Sequence, residues 1–235
     1  MAEARTIPLS GRKAQAARND ETILAAARAV FLADPGAPVS AVAQAAGVGM
    51  SALYRRYPSK DHLIRRLCTI GLQTYIDIAE DCVNDDGDPW GAFARFMRRA
   101  VDAHTNALTL RLAGTFTPDE TLYAMAEYAG TLNVALFERT AKAGVIRPDV
   151  TVSDLGLIFE QIAAVAYGES PERTAVLRQR SLALVLEGLR ADPPTVDLPG
   201  PGVTDDEFAA RCAAARRPRP RRCRPARGRG RQAGP

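Results

Sequence analysis

Residues 39–57 read Val39-Ser40-Ala41-Val42-Ala43-Gln44-Ala45-Ala46-Gly47-Val48-Gly49-Met50-Ser51-Ala52-Leu53-Tyr54-Arg55-Arg56-Tyr57, and they have the pattern of a helix-turn-helix. Two short helices can cross closely only over a small side chain, and Ala43 supplies it. The turn between them needs a residue that tolerates a positive φ, and Gly47 supplies that. Apolar residues are placed to hold the second helix against the first: Val42, Ala46, Val48 and Leu53. This stretch therefore predicts a DNA-binding unit.

The second helix carries the side chains that such a unit needs. Met50, Ser51 and Ala52 at its N-terminal end are short enough to enter a major groove. Tyr54, Arg56 and Lys60 can hold phosphates by hydroxyl or by charge. Pro58 ends this helix, and Ser59 then caps a longer helix over residues 59–83.

The charge distribution supports the same assignment. Residues 1–66 carry 10 Lys+Arg and 5 Asp+Glu, whereas residues 67–210 carry 11 and 22. A basic N-terminal part on an acidic body places polyanion binding at the N-terminal end. Residues 211–235 add 10 Arg and no acidic residue, so this tail is expected to be disordered. The tail is either a non-specific nucleic-acid contact or an extension without function.

Helical periodicity runs through most of the chain. A first helix is expected from a cap at Asn19 or Asp20 to Asp34-Pro35-Gly36. Further helix starts are expected at Asp88-Pro89, at a capping box over 117–120, at Thr151 or Ser153, and at Ser170-Pro171. A short apolar segment at 106–113 and the absence of alternating strand patterns complete an all-α prediction of about nine helices.

The stretch 46–60, Ala46-Gly47-Val48-Gly49-Met50-Ser51-Ala52-Leu53-Tyr54-Arg55-Arg56-Tyr57-Pro58-Ser59-Lys60, resembles the signature of the TetR family of transcriptional regulators, roughly A-G-V-S-x-G-T-L-Y-x-H-F-x-S-K. The helix from Ile23 to Phe31 is also similar to the first helix of that family. The run 143–151 resembles a junction common in the family's ligand-binding domains. The resemblance implies a three-helix DNA-binding domain, then a helical domain that binds a small ligand and forms a homodimer.

The resemblance also implies roles for individual residues. Ser40 would donate to a phosphate, and Ala52 would touch a thymine methyl group among the base-facing residues. For Tyr57, the alternative is core packing, because it matches a family Phe. The complete expected DNA contact set is Ser40, Gly49, Met50, Ser51, Ala52, Tyr54, Arg55, Arg56, Tyr57 and Lys60.

Three positions depart from the family pattern. Gly49 replaces the usual Ser, which removes a side-chain cap from the recognition helix. Ser51-Ala52 replaces Gly-Thr and changes the groups that face the bases. Arg56 replaces His and adds a permanent charge. The operator sequence therefore does not follow from the resemblance.

A ligand pocket implied by the resemblance would need aromatic and flexible apolar side chains with a few polar groups. The candidate lining is Phe93, Phe96, Met97, Leu112, Phe116, Tyr123, Tyr128 and Phe159. Helices at about 152–168 and 171–190 are apolar over wide faces. They either form a four-helix interface about a two-fold axis or are buried within one subunit.

Domain boundaries follow from these expectations. We predict a flexible arm at 1–18, a DNA-binding domain at 19–66, a ligand-binding and dimerisation domain at 67–191, and a Pro- and Arg-rich tail at 192–235. No apolar run reaches the length of a transmembrane helix, and residues 1–10 do not resemble a secretory signal. A cytoplasmic location, a palindromic double-stranded operator and no cofactor are expected.

Two other classes of function remain as alternatives. An enzyme is disfavoured because HExxH, GxSxG, GxGxxG and P-loop motifs are absent and His62 and His104 have no ligand spacing. A redox or metal sensor would use Cys68 or Cys82, which lie about four helical turns apart and cannot pair within one chain. The sequence does not separate a ligand-released repressor from an activator.

Overall fold

The computed structural model describes residues 11–103, 112, 115–165, 170–191, 204 and 206–207, with side chains from residue 18 onward. This part of the chain holds eight helices and no strand, which confirms the all-α prediction. In chain order the helices are α1 (Gly11–Ala33), α2 (Val39–Ala46), α3 (Met50–Arg56), α4 (Lys60–Val83), α5 (Pro89–Asp102), α6 (Glu120–Lys142), α7 (Val152–Ala164) and α8 (Pro171–Gly188). The helix expected at 106–113, residues 1–10 and most of the tail at 192–235 lie outside the described residues.

Helix α1 begins earlier than the sequence pattern suggests. A flexible arm was expected up to residue 18, but the helix already starts at Gly11. The segment 11–18 is rich in Ala, Arg, Lys and Gln, which have high helix propensity and need no apolar face to stay helical. Asn19 and Asp20 therefore lie inside α1 and do not cap its start.

The first three helices and the start of α4 form one small core. The buried side chains of Phe31, Val42, Leu53 and Leu63 meet there, each fully excluded from solvent. Gly47 ends α2 in the left-handed conformation with φ 65°, as the predicted turn requires. Its N–H and that of Val48 donate to the carbonyls of Gln44 and Ala43, which closes the turn.

Most predicted helix starts are present, and one is shifted. Ser59 accepts a hydrogen bond from the His62 N–H, and Asp88 caps α5 ahead of its N-terminal proline. Ser170 caps α8 in the same way. At α6 the cap is Asp119, which accepts from the Leu122 N–H, and not Thr117. The carboxylate of Asp119 lies one residue before the helix, where it can also interact with the helix dipole.

Helix α4 joins the N-terminal core to the body of the molecule. Its C-terminal half packs mainly against α6 and also against α5, and α8 lies on α5. The Arg139 guanidinium donates to the carbonyls of Val83 and Gly87, tying α6 to the end of α4. The residues after α6 and α8 pair through an isolated antiparallel bridge between Ile146 and Arg190. None of the described helices combines the length and hydropathy that crossing a bilayer would require.

Candidate nucleic-acid interface

Helix α3 is held by one buried side chain and exposes most of the others. Leu53 is fully buried, whereas Met50 is 38% and Tyr54 is 44% exposed. Ser51 and Arg55 are exposed as well, and Ala52 is half-buried. A short helix with one anchored face thus presents apolar, hydroxyl and cationic groups on one surface, which is the composition that groove and phosphate contacts need.

The two helix starts at this surface carry no side-chain cap. Ser40 is exposed in the first turn of α2, where its hydroxyl is accessible from solvent. Gly49 precedes α3 with an extended backbone, and a Cβ built on it would meet nothing within 4 Å. Gly49 therefore supplies no side-chain acceptor to the first turn of α3, although its carbonyl accepts from the N–H groups of Ala52 and Leu53.

Arg56 and Tyr57 converge on Asp20 of α1. The Arg56 guanidinium donates through Nε to Oδ1 at 2.8 Å and through Nη2 to Oδ2 at 3.0 Å. The Tyr57 hydroxyl donates to the same Oδ1 at 2.6 Å. This cluster joins the end of α3 to α1 across more than thirty residues of sequence. Tyr57 is only 4% exposed, so the core-packing alternative describes its ring, while its hydroxyl serves the cluster.

The electrostatics of the cluster favour the charged pair. The hydrogen bond from Arg56 is the main reason that the pKa of Asp20 lies below its usual value, and burial opposes it. The same contact raises the pKa of Arg56. Burial, and then the hydrogen bond to Asp20, raise the pKa of Tyr57 to about 12. Tyr57 is therefore a neutral hydrogen-bond donor at physiological pH.

Lys60 points away from the exposed face of α3. Its Nζ donates to the Ala37 carbonyl at 2.8 Å and to the Pro35 carbonyl at 3.2 Å. The same ammonium lies 5.2 Å from the centre of the Phe31 ring, a cation–π distance. Lys60 thus ties the first turn of α4 to the segment between α1 and α2, whereas the sequence placed it on the DNA backbone.

A cleft of about 290 Å³ opens between α1 and α3. Ile23, Val48 and Ala52 form its apolar wall, and Asn19, Asp20, Arg55 and Arg56 line its polar rim. The cleft places the Asp20 cluster next to Ala52, one of the expected base-facing residues. Arg55 makes no ion pair with any residue that the structure describes.

The expected ligand-pocket residues divide into two groups. Phe93, Phe96, Met97, Leu112 and Phe159 are buried in the body. Tyr75 joins them, with ring centroids 5.4 Å from Phe96 and 6.4 Å from Phe159, and donates to Asn133 Oδ1 at 2.6 Å. Tyr75 is not among the pocket residues that the sequence analysis named.

The other group lies near or at the surface. Phe116 is half-buried, and Tyr123 and Tyr128 are 50% and 45% exposed. The Tyr128 hydroxyl donates to Glu80 Oε1 at 2.7 Å. Tyr123 and Tyr128 therefore do not share the aromatic core, because both lie on the outward face of α6.

Helices α7 and α8 bury one face and expose another. Leu155, Phe159 and Ile162 of α7 and Leu182 and Leu186 of α8 are buried within the subunit. Val176 and Leu184 of α8 are 57% and 69% exposed. Burial within one subunit, the second of the two alternatives for these helices, thus accounts for the buried faces. A second subunit is expected to pack on the exposed face of α8.

The two cysteines in the described part of the chain have the environment of inert core residues. Cys68 and Cys82 are buried and not paired with each other. Burial raises the pKa of the Cys68 thiol to about 12, which suppresses the reactive thiolate. Among the described residues, no cluster of three His, Cys, Asp or Glu side chains could hold a metal ion.

Sequence reasoning missed that Asp20 is the shared hydrogen-bond acceptor of Arg56 and Tyr57. The sequence assigned it to helix capping, since an acidic residue before an apolar stripe usually has that role. No local signal identifies its partners, because Arg56 and Tyr57 meet it only when α3 packs on α1.

Two family models match the chain. The model of bacterial regulatory proteins of the tetR family matches residues 23–67. The model of the C-terminal domain of SbtR-like transcriptional regulators matches residues 88–191. The first covers the helix-turn-helix with its flanking helices, and the second covers most of the body. No curated protein matches the chain.

Solved structures of regulators have a similar fold. The ketosteroid transcriptional regulator KstR2 of Mycobacterium tuberculosis is 18% identical with a TM-score of 0.57, over 74% of this chain and 95% of that one. LfrR from Mycobacterium smegmatis, in complex with proflavine, is 22% identical with a TM-score of 0.52, over 77% and 99%. PfmR from Thermus thermophilus is 19% identical with a TM-score of 0.52, over 70% and 97%.

Proposed function

The chain belongs to the TetR family of DNA-binding transcriptional regulators, and on this premise we propose that it is a homodimeric repressor released from its operator by a small molecule. The observation that carries the proposal is the exposed surface of α3. Met50 and Ser51 stand at the end of the helix that would enter the major groove, and Tyr54 and Arg55 follow toward the phosphates. Two copies would read two half-sites of a palindromic operator.

The contacts around α3 divide the proposed DNA contact residues into two roles. Ser40, Gly49, Met50, Ser51, Tyr54 and Arg55 are exposed and would touch DNA directly, together with the half-buried Ala52, which lines the cleft. Arg56, Tyr57 and Lys60 are bound to protein acceptors and would position the motif. The sequence placed all of these residues in one DNA contact set, and the proposed division separates direct contacts from positioning residues.

Release of DNA would depend on α4. This helix begins at the Ser59 cap beside the DNA-binding motif and carries Tyr75 in the aromatic cluster of the body. A small, largely apolar molecule that inserted among Phe96, Phe159 and Tyr75 would shift α4 and change the spacing of the two recognition helices. It releases DNA only if it binds the non-operator conformation more tightly.

Dimerisation would use the exposed face of α8. Val176 and Leu184 are large apolar side chains in contact with solvent, and a two-fold interface would cover them. Replacing Leu184 by Glu places a charge at this face and should shift the protein toward monomer in sedimentation velocity. The same substitution should weaken operator binding, because a monomer reads one half-site.

Selection of bound sequences from a random DNA pool, followed by affinity measurement against salt concentration, tests the proposed function. We expect a two-fold-symmetric consensus and steep salt dependence. Replacing Tyr54 or Arg55 by Ala should weaken binding, while replacing the exposed Arg98 of α5 by Ala, a matched loss of charge in the body, should not. Steep salt dependence without a consensus would contradict base reading by α3.

Repression and release are then tested with the selected operator. A reporter under an operator that overlaps its promoter should be silenced by the protein. Small apolar compounds that displace anilinonaphthalene sulfonate from the body should also release the operator. Compounds that bind the body and leave operator affinity unchanged would argue against ligand-controlled release.

A further inference from the structure

We propose that Asp20 withholds Arg56 from the DNA backbone and so sets the ratio of operator binding to non-specific binding. This inference rests on the proposed function, because it assumes that α3 faces DNA. It assigns to Asp20, a residue of α1, a specificity-determining role at the interface. It also assigns to Arg56 a structural role in the native protein, although its side chain is 62% exposed.

The geometry of the contact is that of a strong ion pair. Both carboxylate oxygens of Asp20 accept from the guanidinium, at 2.8 and 3.0 Å. Charge-assisted hydrogen bonds are shorter and stronger than neutral ones, and two-point pairing adds energy and fixes the geometry. The Asp20 side chain is only 14% exposed, and Tyr57 donates a third hydrogen bond to it at 2.6 Å. The carboxylate is therefore fixed in place before DNA arrives.

The charge balance explains why Arg56 would stay with Asp20. A phosphate could offer Arg56 only another anionic acceptor. The exchange would leave Asp20 as a mostly buried carboxylate without an ion-pair partner beside polyanionic DNA, with only the longer-range charge of Arg66 acting on it. The depressed pKa of Asp20 agrees with a carboxylate that stays charged. Arg55, the adjacent cation on the exposed side of α3, has no such partner among the described residues.

Withholding a cation affects specificity because phosphate contacts do not read sequence. Each neutralised phosphate contributes about 0.9 to the slope of log affinity against log salt, for any DNA sequence. A freed Arg56 would lie on the rim of the cleft next to Ala52, beside the exposed face of α3. It would add this term chiefly to non-operator complexes, whose loose orientation lets the freed cation reach a phosphate, whereas the operator complex holds α3 in one register.

Four proteins test the proposal: the native chain, Asp20→Asn, Arg56→Ala and the double variant. Asn is chosen at position 20 because its amide oxygen still accepts from Tyr57, which keeps that buried hydroxyl paired. Each protein is titrated with the selected operator and with a mixed-sequence duplex of equal length over a range of salt concentrations. Thermal unfolding confirms that each is folded.

Asp20→Asn should steepen the slope of log affinity against log salt for the mixed-sequence duplex by about 0.9 per subunit bound. It should also raise the affinity for that duplex about threefold or more at low salt. The ratio of operator to mixed-sequence affinity should fall. Arg56→Ala should not steepen the slope, because it frees no cation. The double variant should return to the native slope, because the freed cation is gone.

Several results would overturn the proposal. A slope shallower than the native one in the double variant would mean that Arg56 contacts phosphate in the native protein, because that variant leaves no unpaired Asp20 charge to repel DNA. A gain in Asp20→Asn that persists in the double variant would mean that only the lost negative charge matters. Failure to find any operator consensus with the native chain would contradict the proposed function, while the mixed-sequence titrations still report on Arg56.

Discussion

The guanidinium group of Arg65, on α4, lies beside Asp119, the residue that caps α6: the Arg65 Nε is 3.6 Å from the Asp119 Oδ2. The Arg65 Nη2 also donates to the Thr117 carbonyl at 3.2 Å. These contacts join the first half of α4, which supports the DNA-binding motif, to the start of α6. Helix α6 is the helix that α4 packs against most extensively. They form a direct connection between the two regions that operator release would have to couple.

This connection predicts unequal effects of two truncations. Asp119→Ala removes both the cap and the ion pair and should lower the free energy of unfolding by about 1 kcal/mol or more. Arg65→Ala removes a partly exposed pair and should cost less than about 1 kcal/mol. Chemical denaturation of the single and double variants gives the coupling energy. A cost for Arg65→Ala that equals or exceeds that of Asp119→Ala would contradict this ordering.

Lowering the pH should reveal how much Asp20 contributes to the stability of the folded protein. Its pKa is lowered in the folded protein, chiefly by the hydrogen bond from Arg56, so its stabilising effect is present above the unfolded value of 3.8. That effect is lost as the pH falls through the lower folded value. The native chain should therefore lose more stability than Asp20→Asn between about pH 5 and about pH 2. Parallel unfolding curves for the two proteins over this range would refute the linkage.

The Tyr75 hydroxyl should contribute to the stability of the body. Tyr75→Phe keeps the ring contacts with Phe96 and Phe159 but removes the hydrogen bond to Asn133, at an expected cost of about 1 kcal/mol. The matched control is Tyr128→Phe, which removes an exposed hydroxyl bonded to Glu80 and should leave stability unchanged. Chemical denaturation measures both, and an equal loss in the two variants would show that burial of Tyr75 is not the cause.

Two glycines should respond to alanine in opposite directions. Gly47 has φ 65°, a left-handed conformation that disfavours Ala, so Gly47→Ala should lower the free energy of unfolding by about 1 kcal/mol. The backbone is the whole cause, because the new Cβ meets nothing within 4 Å. Gly130 lies inside α6 with open space around it, so Gly130→Ala should stabilise the protein by up to about 1 kcal/mol. Thermal unfolding of both variants tests this. A gain from Gly47→Ala would mean that the turn is not left-handed.

Gly49→Ser should restore a cap to the recognition helix. The backbone at Gly49 is already extended, as a capping residue requires, and there is room for the side chain. We expect a gain in unfolding free energy of a few tenths of a kcal/mol. Operator affinity should rise as well, because the start of α3 becomes better ordered. Gly49→Ala is the control, since it adds a Cβ without an acceptor, and a matching gain there would exclude capping as the cause.

Residue types alone predict the features that depend on neighbouring residues. Helical periodicity, the caps at Ser59, Asp88 and Ser170, and the turn at Gly47 all act within a few positions of the chain, so residue types predict them directly. The boundary of α1 was wrong for a related reason. Amphipathic periodicity does not detect a helix that is supported by propensity alone, as at 11–18.

Which distant side chains meet depends on how the helices pack in three dimensions. The partners of Asp20, the carbonyls bound by Lys60 and the outward position of Tyr128 depend on how one helix is rotated against another. A rotation of one residue, about 100°, would replace each of these contacts with a different one. The pattern of apolar residues defines a broad face and not that exact angle, because many packed arrangements bury the same face equally well.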